Sequence, residues 1–230
     1  GPPMSPGYPL GDLISGLFGA FSVMVALYHR DAKRGVGQMI DLALYEALFR
    51  LMDFDAIQYD KTGEIHTRTG NQVAYAAPSS TYRTTDRRYI TMAASNHNIW
   101  VRLCRAIGRE DLITNPKFAD NASRVHHSDE INGIVANWIA ERSREEVVTQ
   151  FNAYEVAFAV IYDIQDIFAD PHYAAREALV RVSDPDLVAA VVQNVVPKFS
   201  ETPGSVDFLG PKLGEHNDAV YGTELGYSEE

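Results

Sequence analysis

An apolar helical pattern near the beginning of the chain constrains its fold more than any other feature. Apolar residues recur at helical spacing from Asp12 to His29, so this stretch predicts one long helix. Small side chains interrupt the pattern at Ser15, Gly16, Gly19, Ala20 and Ala26. Because small side chains allow a close approach of backbones, we expect this helix to pack tightly against a second segment.

The pair Gly11-Asp12 marks the expected start of this helix. An aspartate at this place accepts hydrogen bonds from the free amides of the first turn, so Asp12 is expected to be the N-cap. A functional role stays open, because a carboxylate at a helix N-terminus lies in positive potential and can act as a nucleophile or base. Gly11 and Gly16 would leave its approach open. Spacing alone does not decide between the two roles.

The chain shows no pattern that predicts a membrane partner or a signal peptide. The longest apolar stretch, Leu13 to Tyr28, is broken by small and polar residues and is shorter than the roughly 20 residues of a membrane span. The first seven residues lack the basic and apolar runs of a signal peptide. They also lack an initiating methionine, so we expect the chain to be part of something longer.

The composition excludes several classes of function. The 230 residues include 20 Lys and Arg against 31 Asp and Glu, which gives a formal charge of −11. This balance argues against a nucleic-acid partner, since such a protein needs a basic face. The single cysteine, Cys104, excludes an intrachain disulfide and a cysteine-cluster metal site. A reducing cytoplasm is therefore the expected compartment, with Cys104 buried on a helix.

A polar linker separates two parts of the chain that differ in their predicted secondary structure. Gln38–Leu44 is expected to be a short strand, Tyr45 to Tyr59 a second helix, and Lys61 to Pro78 the linker. The further expected elements are a hairpin at Thr81–Thr85 and Tyr89–Ala94, helices at Asn96–Ile107, Ser128–Glu141 and Ser143–Asn152, a strand at Ala157–Tyr162, helices at Asp163–Ala169 and Pro171–Glu177, strands at Ala178–Ser183 and Val188–Val196, and a helix at Asn217–Leu225.

Familiar catalytic motifs are missing from the sequence. It has no phosphate-binding Walker loop, no G-x-S-x-G elbow and no H-E-x-x-H zinc motif. The seven histidines are scattered, so we expect no metal site. Asp53 and Asp55 are two positions apart on a predicted helix, so their carboxylates point to different sides and form a poor acid and base pair.

An ordered set of short motifs resembles the class III (CaiB/BaiF-type) CoA-transferase family. The matching segments are Pro9-Leu10-Gly11-Asp12-Leu13-Ile14-Ser15-Gly16, residues 26–30 and 34–47, Arg68-Thr69-Gly70-Asn71, Asn115-Pro116-Lys117-Phe118, residues 164–172 and Leu213-Gly214-Glu215-His216-Asn217. They run nearly end to end in the family's order. The last motif has Asn217 where family members usually carry threonine.

This resemblance implies a reaction and a set of site residues. CoA would move between two carboxylic acids, with Asp12 as the nucleophile that forms an anhydride and then an aspartyl-CoA thioester. Acyl-CoA would be a substrate beside a carboxylic acid acceptor, and no cofactor would be tightly bound. Gly11, Gly70 and Asn71 are expected substrate contacts. The family's glycine-rich loop falls on residues 68–72, where this sequence has one glycine.

The resemblance also implies a fold. The family has an α/β, two-domain fold and forms interlocked homodimers. This chain would correspond to the C-terminal part of that fold, without the N-terminal half that binds CoA. Residues 1–60 would belong to the large domain, 61–78 to the linker, 79–196 to a small α+β domain, and 197–230 to the large domain again. Two alternatives stay open. One is an α-methylacyl-CoA racemase of the same superfamily, with Asp12 as a base, and the other is an inactive truncated paralogue that acts as an interaction domain.

Overall fold

The computed structural model describes residues 4–228, which form helices and two small antiparallel sheets. The helices are α1 (Leu10–Ala32), α2 (Leu44–Arg50), α3 (Asp55–Thr62), α4 (His97–Ala106), α5 (Asn121–His126), α6 (Ser128–Ala140), α7 (Arg144–Ala153), α8 (Ile164–Ala169) and α9 (Pro171–Ala175). The strands are β1 (Ser79–Arg83), β2 (Tyr89–Ala93), β3 (Phe158–Val160), β4 (Leu179–Asp184) and β5 (Val188–Gln193). Short 3₁₀ turns lie at Glu110–Leu112 and Pro116–Phe118, and a π-helical segment at Asp218–Glu224. The mixed helix and sheet class expected from the sequence is confirmed.

A three-stranded antiparallel sheet organises the middle of the chain. Its strands lie in the order β1-β2-β3, and the register places Ser79 opposite Ala93. β1 and β2 form the hairpin expected from the sequence, with Arg87 in its turn at a positive φ of 64°. Ile90 and Met92 alternate with more exposed residues of β2 and are buried. The sheet therefore presents one apolar face to the helices.

Side-chain caps begin three helices around this sheet where the sequence predicts them. Asn96 accepts a hydrogen bond from the Asn98 amide at 2.8 Å and begins α4. Ser143 and Glu146 form a capping box at α7, in which the Ser143 amide donates to the Glu146 carboxylate at 2.8 Å. Asp163 begins α8 in the same way. Local polar signals thus fix the helix starts in this part of the chain.

The hydrophobic core lies between the three-stranded sheet and helices α4, α6 and α7. Trp100, Ile139 and Phe151 are fully buried there. Trp138 stacks on Phe151 with 5.6 Å between the ring centroids. Cys104 is buried as expected, and burial raises the pKa of its thiol to about 12. The thiol therefore stays protonated at neutral pH and contributes to packing.

The first helix begins two residues before its expected start. α1 begins at Leu10, Pro9 occupies the cap position, and the Leu13 amide donates to the Pro9 carbonyl at 3.1 Å. Asp12 lies inside the first turn and makes no side-chain cap hydrogen bond. The expectation that Asp12 is the N-cap was therefore wrong, because the helix already begins at Leu10 and Asp12 lies within it.

One face of α1 packs closely against the segment that leads into α2. Ser15 is buried, and its hydroxyl donates to the Leu44 carbonyl at 3.2 Å. A Cβ added at Gly19 would lie 3.7 Å from the Leu42 side chain. Gly11, four positions before Ser15, faces α2 in the same way. Small residues at intervals of four thus allow the close backbone approach that the sequence predicts.

The other faces of α1 carry large apolar side chains that stay exposed in this chain. Leu17 and Phe21 are 68% and 69% exposed, and Ser15 is the buried residue of the helix. α1 is 23 residues long, which makes it long and apolar enough to cross a membrane by length and composition. The expectation that this segment is too short to span a membrane was therefore wrong in length, because the helix continues beyond the apolar run at both ends.

Two further expectations between residues 38 and 62 were wrong. The expected strand Gln38–Leu44 is irregular up to Ala43 and pairs with no strand among residues 4–228, while Leu44 already begins α2. Its contacts with α1 are made by the Leu42 side chain and the Leu44 carbonyl. The expected helix from Tyr45 to Tyr59 is two helices, and Asp53 adopts a positive φ of 48° between them. α3 then continues to Thr62, into the expected linker.

Charged side chains join the hairpin turn to α7 and α8. Arg144 donates to both carboxylate oxygens of Asp166, at 2.8 and 2.9 Å. Arg88 pairs with Asp163 and lies 3.6 Å from Asp166, and the Arg144 amide donates to Asp86. The hydrogen bonds from Arg144 and from the Asp163 amide lower the pKa of Asp166 to about 2. This network is ionised across the neutral range.

Replacing Asp166 with asparagine is expected to lower the unfolding temperature by a few degrees, because Arg144 and Arg88 lose a shared carboxylate. A carboxyl group with a depressed pKa stabilises the fold above its ordinary pKa of 3.8 and loses that effect as the pH falls toward 2. The difference between wild type and Asp166→Asn should therefore be largest at neutral pH and shrink below pH 4. Thermal unfolding followed by circular dichroism, with the exposed Asp207→Asn as control, measures it. A difference that is constant with pH would contradict the assignment.

Replacing Gly19 with leucine is expected to destabilise the protein by about 1–3 kcal/mol, because the added atoms must displace the Leu42 side chain. Gly19→Ala is the matched control, since its Cβ makes an ordinary contact at 3.7 Å and alanine favours the helix. Denaturant unfolding of the full-length protein gives both free energies. Equal stability of the two variants would show that this face of α1 is not tightly packed.

Candidate functional site

Asp12 projects from the first turn of α1 and is exposed. The free backbone amides of this turn give the helix N-terminus a positive potential, which favours a carboxylate there. Its neighbour Gly11 is half-buried, and a Cβ at Gly11 would lie 3.5 Å from the Leu48 side chain. Gly11 therefore has a packing role against α2. Asp12 is an accessible carboxylate that is suited to attack an electrophile or to accept a proton.

Gly70 and Asn71 lie in a tight turn of the linker, far along the chain from α1. Gly70 has a positive φ of 67°, a conformation that glycine adopts without strain. The Thr69 hydroxyl donates to the Gln72 carbonyl at 2.7 Å, and the Gln72 amide donates back to Thr69 at 3.3 Å. Gly70 and Asn71 are both exposed. The turn thus presents polar backbone and one amide side chain to solvent.

The contacts of the described residues do not join this turn to Asp12. The two hydrogen bonds of residues 69–72 are internal to the turn. Asp12 and Gly11 are neighbours on α1, where Gly11 lies against Leu48 of α2 and Asp12 is exposed. The four residues expected at the site therefore lie in two places, one on α1 and one on the linker.

Both ends of the linker are held by side chains that the sequence analysis missed. His66 Nδ1 lies 3.0 Å from an Asp55 carboxylate oxygen at the start of α3. At the other end, Asn121 and Arg124 of α5 bind the backbone near Ala77. α5 has only six residues, too few for a clear apolar period. Its one sequence signal is the cap residue before it, Asp120, whose carboxylate accepts from the Ser123 amide at 2.7 Å.

A cavity of about 730 Å³ lies elsewhere, between α4, α6 and α7. Arg105, Trp138, Arg142 and Tyr154 are among its lining residues, and Arg142 stacks over the Trp138 ring at 4.0 Å. None of the expected site residues lines it. Because both arginines face nearby glutamates, the cavity does not form a strongly positive anion site.

No cluster of metal-ligating side chains is present among residues 4–228. In this range, no three His, Cys, Asp or Glu side chains are placed to hold an ion. His126 and His127 contact each other edge to face, with 4.9 Å between the ring centroids. Cys104 is buried in the core. These side chains are therefore explained by packing.

Comparison with known proteins places the chain in one family. The model of CoA-transferase family III matches residues 1–217. Succinyl-CoA–D-citramalate CoA-transferase of Chloroflexus aurantiacus is 36% identical over 229 residues, which cover 100% of this chain and 57% of that protein. The succinyl-CoA–L-malate CoA-transferase beta subunit of the same organism is 37% identical over 233 residues, again 100% of this chain and 57% of the relative.

A solved structure gives the same result for the fold. A CAIB/BAIF family protein from Brucella suis superposes with a TM-score of 0.78 at 27% identity, over 96% of this chain and 57% of that chain. The chain thus spans a little more than half the length of the proteins it matches. Relatives named as CoA-transferases do not favour the racemase alternative. By the family match across residues 1–217 and these relatives, the chain belongs to CoA-transferase family III.

Proposed function

We propose that the protein transfers coenzyme A between carboxylic acids and that Asp12 is the nucleophile. The observation that carries this proposal is the family match over residues 1–217, together with relatives at 36% and 37% identity that are named as CoA-transferases. The exposed position of Asp12 in the first turn of α1 supports its role, because an attacking carboxylate must be accessible and ionised.

The proposed reaction proceeds through covalent intermediates on Asp12. A carboxylate oxygen of Asp12 attacks the thioester carbonyl of the donor, the C–S bond breaks, and a mixed anhydride and the CoA thiolate result. The thiolate then attacks the aspartyl carbonyl, which releases the donor acid and leaves an aspartyl-CoA thioester. The acceptor carboxylate attacks this thioester to give a new anhydride and thiolate. Attack of the thiolate on the acceptor carbonyl forms the product and frees Asp12.

Each step exchanges one carboxyl derivative for another, so no proton and no redox change is needed. The thioester energy is retained only while water stays out, since anhydride and thioester both hydrolyse. Gly70 and Asn71 are proposed to contact the substrate from the linker side, where the turn exposes backbone amides and one side-chain amide.

Succinyl-CoA is the proposed donor. The names of both Chloroflexus relatives contain succinyl-CoA as one substrate and a small dicarboxylic acid as the other. We propose that this protein likewise acts on small dicarboxylic acids. L-malate and D-citramalate are the first acceptors to test.

We also propose that α1 is covered by protein. Its small-residue face already packs on the segment before α2. The apolar side chains on its other faces are exposed, and contact with further protein would remove them from water. The remainder of a family-length protein, or the second copy of an interlocked homodimer, would supply this cover. One related protein is named as a beta subunit, which supports assembly with other chains. A bilayer is not proposed as the cover.

The division of the chain into domains and its compartment are proposals as well. Residues 1–60 and 197–230 are assigned to a large domain, 61–78 to the linker and 79–196 to the small domain. The core cluster, which runs from Ala77 to Val156, supports the independence of the small domain. The single buried thiol, Cys104, is compatible with a reducing cytoplasm.

Replacing Asp12 with asparagine in the full-length protein is expected to reduce CoA transfer from succinyl-CoA to L-malate or D-citramalate by at least about 10³-fold. The amide keeps the shape of the side chain and removes the nucleophilic oxygen. In the wild type, incubation with succinyl-CoA and hydroxylamine should leave a hydroxamate on Asp12, which peptide mass spectrometry locates.

Asp31→Asn is the matched control, since Asp31 lies exposed at the opposite end of the same helix. It should leave transfer unchanged. Full transfer activity of Asp12→Asn would refute the role of Asp12. Exchange of the α-hydrogen of an acyl-CoA with deuterated water, without acyl transfer, would instead show a base-catalysed reaction.

A further inference from the structure

We propose that Asn121 and Arg124 of α5 are positioning residues that fix the linker loop bearing Gly70 and Asn71. The inference rests on the proposed function, because that function makes this loop a substrate contact. Its structural part concerns only how the loop is attached to the small domain. We define the loop as residues 67–74.

Burial changes abruptly where the loop joins the small domain. Residues 63–75 are exposed with the exception of a half-buried Gln72, whereas Ala76 to Ser79 are all buried. The chain therefore passes from solvent into the core within one residue. Such a boundary determines the direction in which the preceding loop leaves the domain, because the backbone beyond it cannot shift without disturbing the core.

Asn121 holds the backbone on both sides of this boundary. Its side-chain nitrogen donates to the Tyr75 carbonyl at 2.9 Å, and its side-chain oxygen accepts from the Ala77 amide at 3.3 Å. One amide group thus bridges the two peptide units that flank Ala76. A side-chain amide carries a donor and an acceptor on two neighbouring atoms, as this bridge requires.

Arg124 holds the same boundary from inside the core. It is 1% exposed, and its Nε donates to the Ala77 carbonyl at 2.9 Å. The two terminal nitrogens donate to the carbonyls of Phe118 and Ser95, at 3.2 and 2.7 Å. Its guanidinium also lies 5.2 Å from the centroid of the Trp100 ring. The linker end is thereby tied to two other segments of the small domain.

The opposite end of the loop is fixed as well. His66 bonds to Asp55 at 3.0 Å, and Gly63 ends α3 with its amide donating to the Tyr59 carbonyl at 2.8 Å. Between these two attachments the described hydrogen bonds of the loop are local: two lie within residues 69–72, and the Ala76 amide donates to the Val73 carbonyl at 3.4 Å. The position of Gly70 and Asn71 therefore depends on the two ends.

Loss of one attachment should weaken substrate binding more than the chemical step. A loop that contacts substrate equally in the ground state and the transition state affects KM, while kcat stays nearly unchanged. Such a split separates a positioning residue from a residue needed for folding, since a misfolded fraction lowers kcat alone.

The test compares Asn121→Ala with Asn137→Ala in the full-length protein. Asn137 is an exposed asparagine of α6, so its replacement controls for loss of a surface amide. Limited proteolysis followed by mass spectrometry measures cleavage between residues 63 and 75. We expect Asn121→Ala to raise this rate about fivefold to tenfold, as the loss of two hydrogen bonds implies. The KM for succinyl-CoA should rise by a similar factor, with kcat within twofold and an unfolding temperature close to wild type.

Unchanged cleavage of Asn121→Ala would overturn the attachment, and faster cleavage with unchanged KM would overturn its role in positioning. Equal effects of Asn121→Ala and Asn137→Ala would also overturn it. Arg124→Lys gives an independent check, because lysine keeps the charge but cannot reach three carbonyls, and faster cleavage is expected again. Failure of the proposed function would show separately as full activity of Asp12→Asn, and the cleavage measurement does not depend on that result.

Discussion

The hydrogen bonds of the buried Arg124 guanidinium are the interaction on which the arrangement of residues 77–156 depends. A buried charge is costly, and no carboxylate among residues 4–228 forms an ion pair with it. Burial lowers the pKa of Arg124, which expresses the same cost. Three backbone carbonyls and the Trp100 ring offset it, and they come from the linker end, the chain before α4 and the turn before α5. Arg124 is satisfied only when all these segments are folded, so this one side chain makes their folding more cooperative.

Outside residues 77–156, much more of the apolar surface is exposed. Residues 77–156 form a core with fully buried Trp100 and Phe151, whereas α1 exposes Leu17 and Phe21. Exposed apolar surface of this kind is typical of a site that packs against further protein. The chain spans 57% of the length of the relatives that it matches, and α1 lies near its beginning. The contrast supports the proposed domain division.

Sequence signals predicted the elements whose causes are local. The hairpin, the Asn96 cap and the capping box at Ser143 each depend on residues a few positions apart, and the structure confirms them. Elements decided by distant contacts were predicted poorly. The alternating pattern of residues 38–44 forms no strand, and its contacts with α1 are the Leu42 side chain beside Gly19 and the Leu44 carbonyl bound by Ser15. Pro9, and not Asp12, occupies the cap position of α1. The attachment of the linker to α5 spans 44 to 47 positions, beyond any local pattern.

The site residues show the same division between local and distant information. The resemblance to a family identified Asp12, and the structure adds that its carboxylate is exposed beside uncovered apolar side chains such as Leu13. The proposed anhydride and thioester on Asp12 hydrolyse in water. If Asp12 stayed exposed during the reaction, water would cleave the thioester before CoA reached the acceptor. Leu13 and Leu17, which are 55% and 68% exposed, lie within five positions of Asp12. A protein surface that covered Leu13 and Leu17 would also shield Asp12 from water, so the proposed assembly around α1 and the proposed catalysis share one physical requirement.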